Sequence, residues 1–192
     1  MNRMTHQLDP QNLILITGGA RSGKSELAES IALEADCQVY YLATMQRFDT
    51  DLECTARIEK HRQRRPANWT TIESSHHLEE TVQSLPPGPG IVIIDCLSLY
   101  VSNLLLDGYE EGTNPYQKET CIAQAIEQLL MSIGHRDDLR FVVVTNETGS
   151  GVVPVANLGR AYRDLLGTAN QAFARQASTV WLTVCGQKLR IK

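Results

Sequence analysis

The chain has 192 residues, of which 42% are hydrophobic and 21% charged, and its formal net charge at pH 7 is -4. This length and composition predict one globular domain that is large enough to bury a two-sided sheet. The acidic balance gives no overall attraction to nucleic acid or to an anionic membrane, and we expect no stable membrane insertion because the apolar runs are short. The five scattered cysteines lack a C-x-x-C pair, which argues against a disulfide framework or a zinc site and indicates a cytoplasmic protein.

Residues 1–12 are polar and lack the apolar segment of a secretory signal, so they are predicted to form a flexible N-terminal extension. Residues 13–192 contain no linker and are predicted to form a single domain. Their first apolar run, residues 13–17, is typical of a buried strand, and residues 26–35 are typical of a helix. Between them lies G-G-A-R-S-G-K-S, which fits the P-loop pattern G-x-x-x-x-G-K-[ST] in the strand–turn–helix context that this pattern requires.

A P-loop binds phosphate because successive backbone N–H groups point at the phosphate oxygens at the start of a helix. Lys24 is predicted to reach the β- and γ-phosphates, and the Ser25 hydroxyl to complete the oxygen shell of a bound Mg²⁺. The predicted phosphate-binding residues are Gly18, Gly19, Ala20, Arg21, Ser22, Gly23, Lys24 and Ser25.

Strand and helix patterns alternate along the rest of the chain. The run I-V-I-I at 91–94 is continuously apolar, which is typical of a strand covered on both faces in a parallel sheet. The order predicts an α/β three-layer fold with a mostly parallel sheet, whose strand carboxyl ends share the ligand-binding edge. The predicted strands are 38–44, 69–73, 91–95 and 141–146, then a hairpin of 179–185 and 189–191; the predicted helices are 49–64, 75–85, 97–106, 116–133 and 155–177.

Two acids end predicted strands at that edge. Asp95 lies where a Walker-B carboxylate would hold Mg²⁺ beside Ser25, and the alternative is that it caps the following helix. Glu73 is a candidate contact to nucleotide or metal, with a solvated acid as the alternative. Cys96 and Cys185 adjoin apolar strand patterns and are interpreted as core residues.

The segment 57–66, R-I-E-K-H-R-Q-R-R-P, places five basic side chains around His61 in an acidic protein. A nucleic-acid patch is disfavoured because aromatic residues are not interleaved with the basic ones, and a solvated helix face is a second alternative. The favoured hypothesis is a polyphosphate site in which the neutral imidazole of His61 attacks an α-phosphorus and expels pyrophosphate. Neighbouring cations disfavour the imidazolium form, so they would keep His61 nucleophilic.

The ordered motifs resemble one family, the bifunctional adenosylcobinamide kinase / adenosylcobinamide-phosphate guanylyltransferase of cobalamin biosynthesis. The resemblance runs from Leu13 to the C-terminus. It rests on the P-loop, A-T at 43–44, A-R-I-x-x-H-x-x-x-R-P-x-x-W at 56–69, V-S-N-L-L at 101–105, T-N-E-x-G-x-G-x-V-P at 145–154 and R-D-x-x-G-x-x-N-Q at 163–171. The chain departs from the family at Asp95, where Glu is frequent, and in residues 184–189, which match only loosely.

The resemblance implies a RecA-like P-loop fold, a homotrimer and two activities. The first is phosphorylation of adenosylcobinamide with ATP or GTP, and the second is transfer of GMP from GTP to adenosylcobinamide phosphate through a guanylylated histidine, which is His61. It also implies nucleotide contacts outside the P-loop, at Ala43, Thr44, Met45, Arg62, Gln63, Arg64, Arg65, Glu73 and Asp95. Two alternatives are kept: a P-loop small-molecule kinase without covalent nucleotidyl transfer, and a nucleotide-dependent nucleic-acid-binding ATPase.

Overall fold

The computed structural model describes residues 13–35, 37–45 and 65–192. The predicted N-terminal extension and the predicted helix 49–64, which includes His61, lie outside these residues. None of the described helices is long and apolar enough to cross a lipid bilayer. The strands are β1 Leu13–Gly18, β2 Gln38–Ala43, β3 Thr70–Glu73, β4 Gly90–Asp95, β5 Leu139–Val144, β6 Thr179–Val184 and β7 Gln187–Arg190; the helices are α1 Lys24–Leu33, α2 Leu78–Ser84, α3 Leu97–Leu106, α4 Glu119–Gly134 and α5 Asn157–Gln176, with a 3-10 turn at Pro115–Lys118.

The described strands form one seven-stranded sheet of order β3-β2-β4-β5-β1-β6-β7. Neighbouring strands are parallel except β6 and β7, which form the predicted antiparallel hairpin. Ala43 lies opposite both Glu73 and Asp95 in the register, and Val144 lies opposite both Asp95 and Ile16. The carboxyl ends of these strands therefore meet at one edge, as predicted.

The sheet has helices on both faces. Val92 and Ile94 of β4 pack toward α2, α3, α4 and α5, whereas Ile91 and Ile93 belong to the smaller core beneath α1. All four side chains are 0% exposed, which explains why the apolar run is continuous rather than alternating. The predicted three-layer α/β architecture is confirmed.

Arg136, which follows α4, fixes the Pro-rich connection between α2 and β4. Its Nη1 donates to the carbonyl oxygens of Val82 at 2.9 Å and Leu85 at 3.0 Å. Its Nε lies 2.8 Å from Oδ1 of Asp138, and the second oxygen of that carboxylate accepts a hydrogen bond from the backbone N–H of Gly88 at 2.9 Å. These bonds to Arg136, together with the bond from Gly88, hold the pKa of Asp138 well below its usual range.

Some predicted details differ from the structure. Helix α1 begins at Lys24 rather than at residue 26, because Gly23 at φ +98° is the N-cap and the P-loop leads directly into the helix. The interpretation of Cys96 as a core residue is confirmed, since it is 8% exposed and its burial raises the pKa of the thiol to about 11. The same interpretation of Cys185 is wrong. That residue is exposed, with φ +51°, because it forms the turn between β6 and β7.

Candidate active site

The P-loop connects β1 to α1 in a conformation that requires glycine at two places. Gly18 has φ +151° and Gly23 has φ +98°. A Cβ atom on Gly18 would lie 2.4 Å from the carbonyl oxygen of Thr183, and one on Gly23 would lie 3.2 Å from the Cα of Gly186. Thus both the backbone angles and the close packing of the β6–β7 hairpin explain these two glycines.

The β6–β7 hairpin supports the P-loop through polar contacts as well. The hydroxyls of Ser22 and Thr183 are 2.7 Å apart, and both residues are buried. The backbone N–H of Gly186 donates to the carbonyl oxygen of Ser22 at 3.0 Å. The tail, whose role the sequence left open, therefore holds the phosphate-binding loop in shape.

Lys24 is the first residue of α1, and its side chain bridges the loop. Its Nζ donates to the carbonyl oxygen of Gly19 at 2.6 Å, and the residue is only 8% exposed. Burial lowers the pKa of the ammonium group, while nearby acidic groups, including Asp95, oppose that shift. The first N–H groups of a helix have no intrahelical partner, so the loop offers backbone donors and a cation to a phosphate.

Asp95 ends β4 and is linked to β2 through a tyrosine. The hydroxyl of Tyr41 donates a hydrogen bond to Oδ2 of Asp95, across two neighbouring strands. Tyr41 is 1% exposed, and burial together with the Asp95 charge raises the pKa of its phenol. The phenol therefore stays a donor, which orients the carboxylate while leaving it acceptor capacity for a cation.

Arg65 is the first described residue after the segment that contains His61. Its guanidinium carbon lies 3.5 Å from the centroid of the Tyr41 ring, and the Trp69 ring stacks beside Tyr41 with centroids 6.5 Å apart. Within the described part of the chain, its buried Nε has no hydrogen-bond partner. The end of the basic segment is thereby anchored one side chain away from Asp95.

Hydrogen bonds from the buried Thr44 and the half-buried Asn103 fix the loops at this edge. The Oγ1 of Thr44 accepts a hydrogen bond from the backbone N–H of Cys96 at 2.7 Å and donates to its carbonyl oxygen at 2.8 Å. Asn103 of α3 donates through Nδ2 to the carbonyl oxygens of Thr44 at 2.8 Å and Ser75 at 3.0 Å. The chain segments that follow β2, β3 and β4 are thus held together.

A second set of bonds holds the segment that follows β5. The backbone N–H of Thr145 donates to the carbonyl oxygen of Ile16 at 2.9 Å, and its hydroxyl donates to Oδ1 of Asn170 at 2.7 Å. The Nδ2 of Asn170 donates in turn to the carbonyl oxygen of Asn146 at 3.0 Å. These contacts join the end of β5 to β1 and α5.

The structure brings most of the predicted site residues to the same edge of the sheet, but they lie at different distances from the P-loop. Thr44 is buried, while Ala43 and Met45 are half-buried at the end of β2. Glu73 is exposed at the end of β3, four strands from β1, which is about 19 Å at the usual strand spacing. His61, Arg62, Gln63 and Arg64 lie outside the described residues.

The sequence reasoning did not single out Tyr41, Asn103, Asn170 or Thr183 as site residues. Asn103 and Asn170 lie in the motifs V-S-N-L-L and N-Q, so the sequence offered a signal that their amides contribute to the site. Tyr41 and Thr183 carry no such signal, because a tyrosine or a threonine is ordinary in a strand.

A P-loop that leads into a helix, in a parallel sheet with a carboxylate ending a nearby buried strand, defines a P-loop nucleotide-binding protein. Solved structures agree on the fold. The ATPase from a type III secretion system of pathogenic bacteria has a TM-score of 0.54 at 10% identity, covering 90% of this chain and 52% of that one. A protein of Pyrococcus horikoshii OT3 has a TM-score of 0.53 at 10% identity, covering 97% and 88%.

Comparisons of the sequence with known proteins identify the family to which the chain belongs. The model of the cobinamide kinase / cobinamide phosphate guanyltransferase family, CobU, matches residues 14–191. The bifunctional adenosylcobalamin biosynthesis protein CobU of Escherichia coli (strain K12) is 41% identical over 184 residues, covering 94% of this chain and 99% of the relative. The corresponding protein CobP of Pseudomonas aeruginosa is 39% identical over 178 residues, covering 93% and 96%. The chain belongs to this family of bifunctional transferases.

Proposed function

We propose that this protein phosphorylates adenosylcobinamide with ATP or GTP and then transfers GMP from GTP to adenosylcobinamide phosphate, which yields adenosylcobinamide-GDP. The observation that carries the proposal is the family match over residues 14–191, together with a P-loop that retains its glycine geometry and its buried Lys24. We further propose that the protein works in the cytoplasm as a homotrimer, without nucleic acid or stable membrane insertion.

In the kinase reaction the P-loop N–H groups and Lys24 hold the β- and γ-phosphates. The substrate hydroxyl attacks the γ-phosphorus as the bond to the β-phosphate oxygen breaks, so the nucleoside diphosphate leaves and the hydroxyl proton is lost. Positioning and charge neutralisation supply most of the catalysis in such transfers, because the protein does little covalent chemistry. The lowered pKa of Lys24 does not prevent this role, since bound phosphate would favour its charged form.

Ser25 and Asp95 would hold Mg²⁺ with the phosphates. Their hydroxyl and carboxylate oxygens suit a hard cation, and the hydrogen bond from Tyr41 fixes the carboxylate while leaving oxygen lone pairs available. Bound Mg²⁺ would neutralise charge on the phosphate oxygens. Tyr41 therefore acts as a positioning residue for Asp95.

For guanylyl transfer, the imidazole of His61 attacks the α-phosphorus of GTP, and the bond to the β-phosphate oxygen breaks as pyrophosphate leaves. An oxygen of adenosylcobinamide phosphate then attacks the same phosphorus, the P–N bond breaks, and the neutral imidazole is restored. Arg65 supports this proposal because its guanidinium lies on the Tyr41 ring, one side chain away from Asp95, and its buried Nε lacks an acceptor among the described residues. The proposed further nucleotide contacts are Ala43, Thr44, Met45, Arg62, Gln63, Arg64, Glu73 and Asp95.

The kinase step is tested with [γ-³²P]ATP and adenosylcobinamide, followed by chromatography of the corrinoid. We expect labelled corrinoid with the natural protein and a loss of about 10²–10³-fold in rate for Lys24→Ala. Lys118→Ala changes a lysine of the 3-10 turn Pro115–Lys118, which lies outside the P-loop, and serves as the matched control. Equal rates for both variants would contradict the assigned role of Lys24.

The covalent step is tested with [α-³²P]GTP. A phosphoramidate on histidine is labile in acid and stable in alkali, so we expect protein-bound label with those properties that is lost in His61→Ala. Transfer of γ-phosphate without any protein-bound α-label would instead support the alternative of a simple P-loop kinase. Hydrolysis stimulated by RNA or DNA, without a phosphorylated corrinoid, would support the nucleic-acid-binding ATPase.

A further inference from the structure

Three valines on the segment that follows β5, here called the valine loop (residues 147–155), are exposed to solvent. Val152 and Val155 are each 96% exposed and Val153 is 54% exposed. Single exposed apolar side chains are common on protein surfaces, but three within four positions form a local apolar patch. The patch therefore needs a reason beyond ordinary surface composition.

The valine loop is held in one shape by its own hydrogen bonds. The carboxylate of Glu147 accepts the backbone N–H groups of Gly149 at 2.7 Å and Ser150 at 3.2 Å, as well as the Ser150 hydroxyl at 2.8 Å. At the other end Arg160 donates to the carbonyl oxygen of Pro154 at 2.9 Å. These bonds fix the two ends of the valine loop, on either side of Val152 and Val153.

The valine loop starts next to the P-loop. Strand β5 lies between β4, which ends in Asp95, and β1, which leads into the P-loop. The backbone N–H of Glu147 donates to the carbonyl oxygen of Gly18 at 3.0 Å, so the loop starts in contact with the P-loop itself. The valine loop therefore begins beside the P-loop, at the sheet edge where the phosphates are proposed to bind.

We propose that Val152 and Val155 bind the corrin macrocycle of the acceptor while its hydroxyl reaches the γ-phosphate. A corrin ring carries many methyl groups on its edge and faces, so it would cover the valine side chains and remove them from water. This inference rests on the proposed kinase activity and names the residues that select its acceptor. We assign the patch to the corrin acceptor because the valine loop adjoins the P-loop, and the acceptor hydroxyl must lie beside the P-loop to reach the γ-phosphate.

The test uses the full-length protein and the double variant Val152→Ser/Val155→Ser. Both side chains are almost fully exposed, so the substitution should leave the free energy of unfolding nearly unchanged. Steady-state phosphorylation is measured with adenosylcobinamide varied at saturating ATP, and then with ATP varied. We expect the KM for adenosylcobinamide to rise about tenfold or more and the KM for ATP to stay within about twofold.

Two control variants sharpen the result. Val152→Leu/Val155→Leu keeps the patch apolar and should keep the KM for adenosylcobinamide near that of the natural protein. Met131→Gln changes another exposed apolar residue, 55% exposed on α4, and should have no effect. Analytical ultracentrifugation of each variant reports its oligomeric state.

A rise in the KM for adenosylcobinamide of less than about threefold in the serine variant would overturn the proposal. A change of oligomeric state in the serine variant would also overturn the proposal, because the valines would then belong to a contact between copies of the chain. If the natural protein does not phosphorylate adenosylcobinamide at all, the proposed function fails instead, which keeps the two failures distinguishable.

Discussion

Replacing Tyr41 by phenylalanine removes one oxygen atom and tests whether the Asp95 carboxylate is positioned for a metal. The ring of Tyr41 stacks against Trp69 and under Arg65, and those contacts should survive in the variant. Only the hydrogen bond to Oδ2 of Asp95 is lost. The substitution therefore separates the orientation of the carboxylate from the packing of β2.

The expected size of the effect follows from the surroundings of the bond. Hydrogen bonds to charged groups contribute about 1.5–3 kcal/mol, but Asp95 is half-buried and water can partly replace the phenol. We therefore expect Tyr41→Phe to lower the free energy of unfolding by about 1–2 kcal/mol. Outer-shell partners of metal ligands typically change metal affinity by about 10–100-fold, so the Mg²⁺ concentration for half-maximal kinase activity should rise about tenfold.

The assay is urea unfolding together with a Mg²⁺ titration of phosphoryl transfer at fixed ATP. Tyr40→Phe is the matched control, because Tyr40 is the neighbouring residue of β2 and packs in the opposite core. It should change neither quantity appreciably. An unchanged Mg²⁺ dependence in Tyr41→Phe, or an equal shift in Tyr40→Phe, would refute the assignment of Tyr41 as the residue that orients Asp95.

Two further predictions concern the P-loop and the Arg136 contact. Gly18→Ala should abolish nucleotide binding measured by calorimetry, since its Cβ would lie 2.4 Å from the Thr183 carbonyl oxygen, whereas Gly19→Ala, with open space, should still bind. Asp138→Asn should lower the free energy of unfolding by about 1 kcal/mol at pH 7. Because the folded pKa of Asp138 lies well below its usual range, its stabilisation is complete above the unfolded pKa of about 3.9 and is lost progressively as the pH falls toward the folded pKa. The difference between the natural protein and Asp138→Asn in urea unfolding should therefore be clearly smaller near pH 2 than at pH 7.

The architecture could be predicted from the sequence because local patterns encode it directly. The continuous run at 91–94 reflects a strand covered on both faces, and the P-loop signature fixes the junction of β1 and α1. Helix α3 was predicted with its observed bounds, Leu97–Leu106. Asp95 was placed at the sheet edge for the same reason, since parallel strands align their carboxyl ends.

The contacts that shape the site could not be predicted, because they join residues that are distant in sequence. The Ser22–Thr183 hydrogen bond spans 161 positions and the Tyr41–Asp95 bond spans 54. No periodicity in a single sequence records such pairs. Cys185 was misplaced for a related reason: its exposure depends on a left-handed turn that neighbouring apolar residues do not reveal.

We propose that the same P-loop holds the nucleotide in both reactions, and that His61 is needed only for the second. It is tested most directly by measuring γ-phosphate transfer to adenosylcobinamide and protein-bound α-label from GTP in Lys24→Ala and in His61→Ala. We predict that Lys24→Ala loses both signals, whereas His61→Ala loses the α-label and keeps the γ-transfer. Retention of the α-label in Lys24→Ala, at the level of the natural protein, would contradict the claim and require a second nucleotide site.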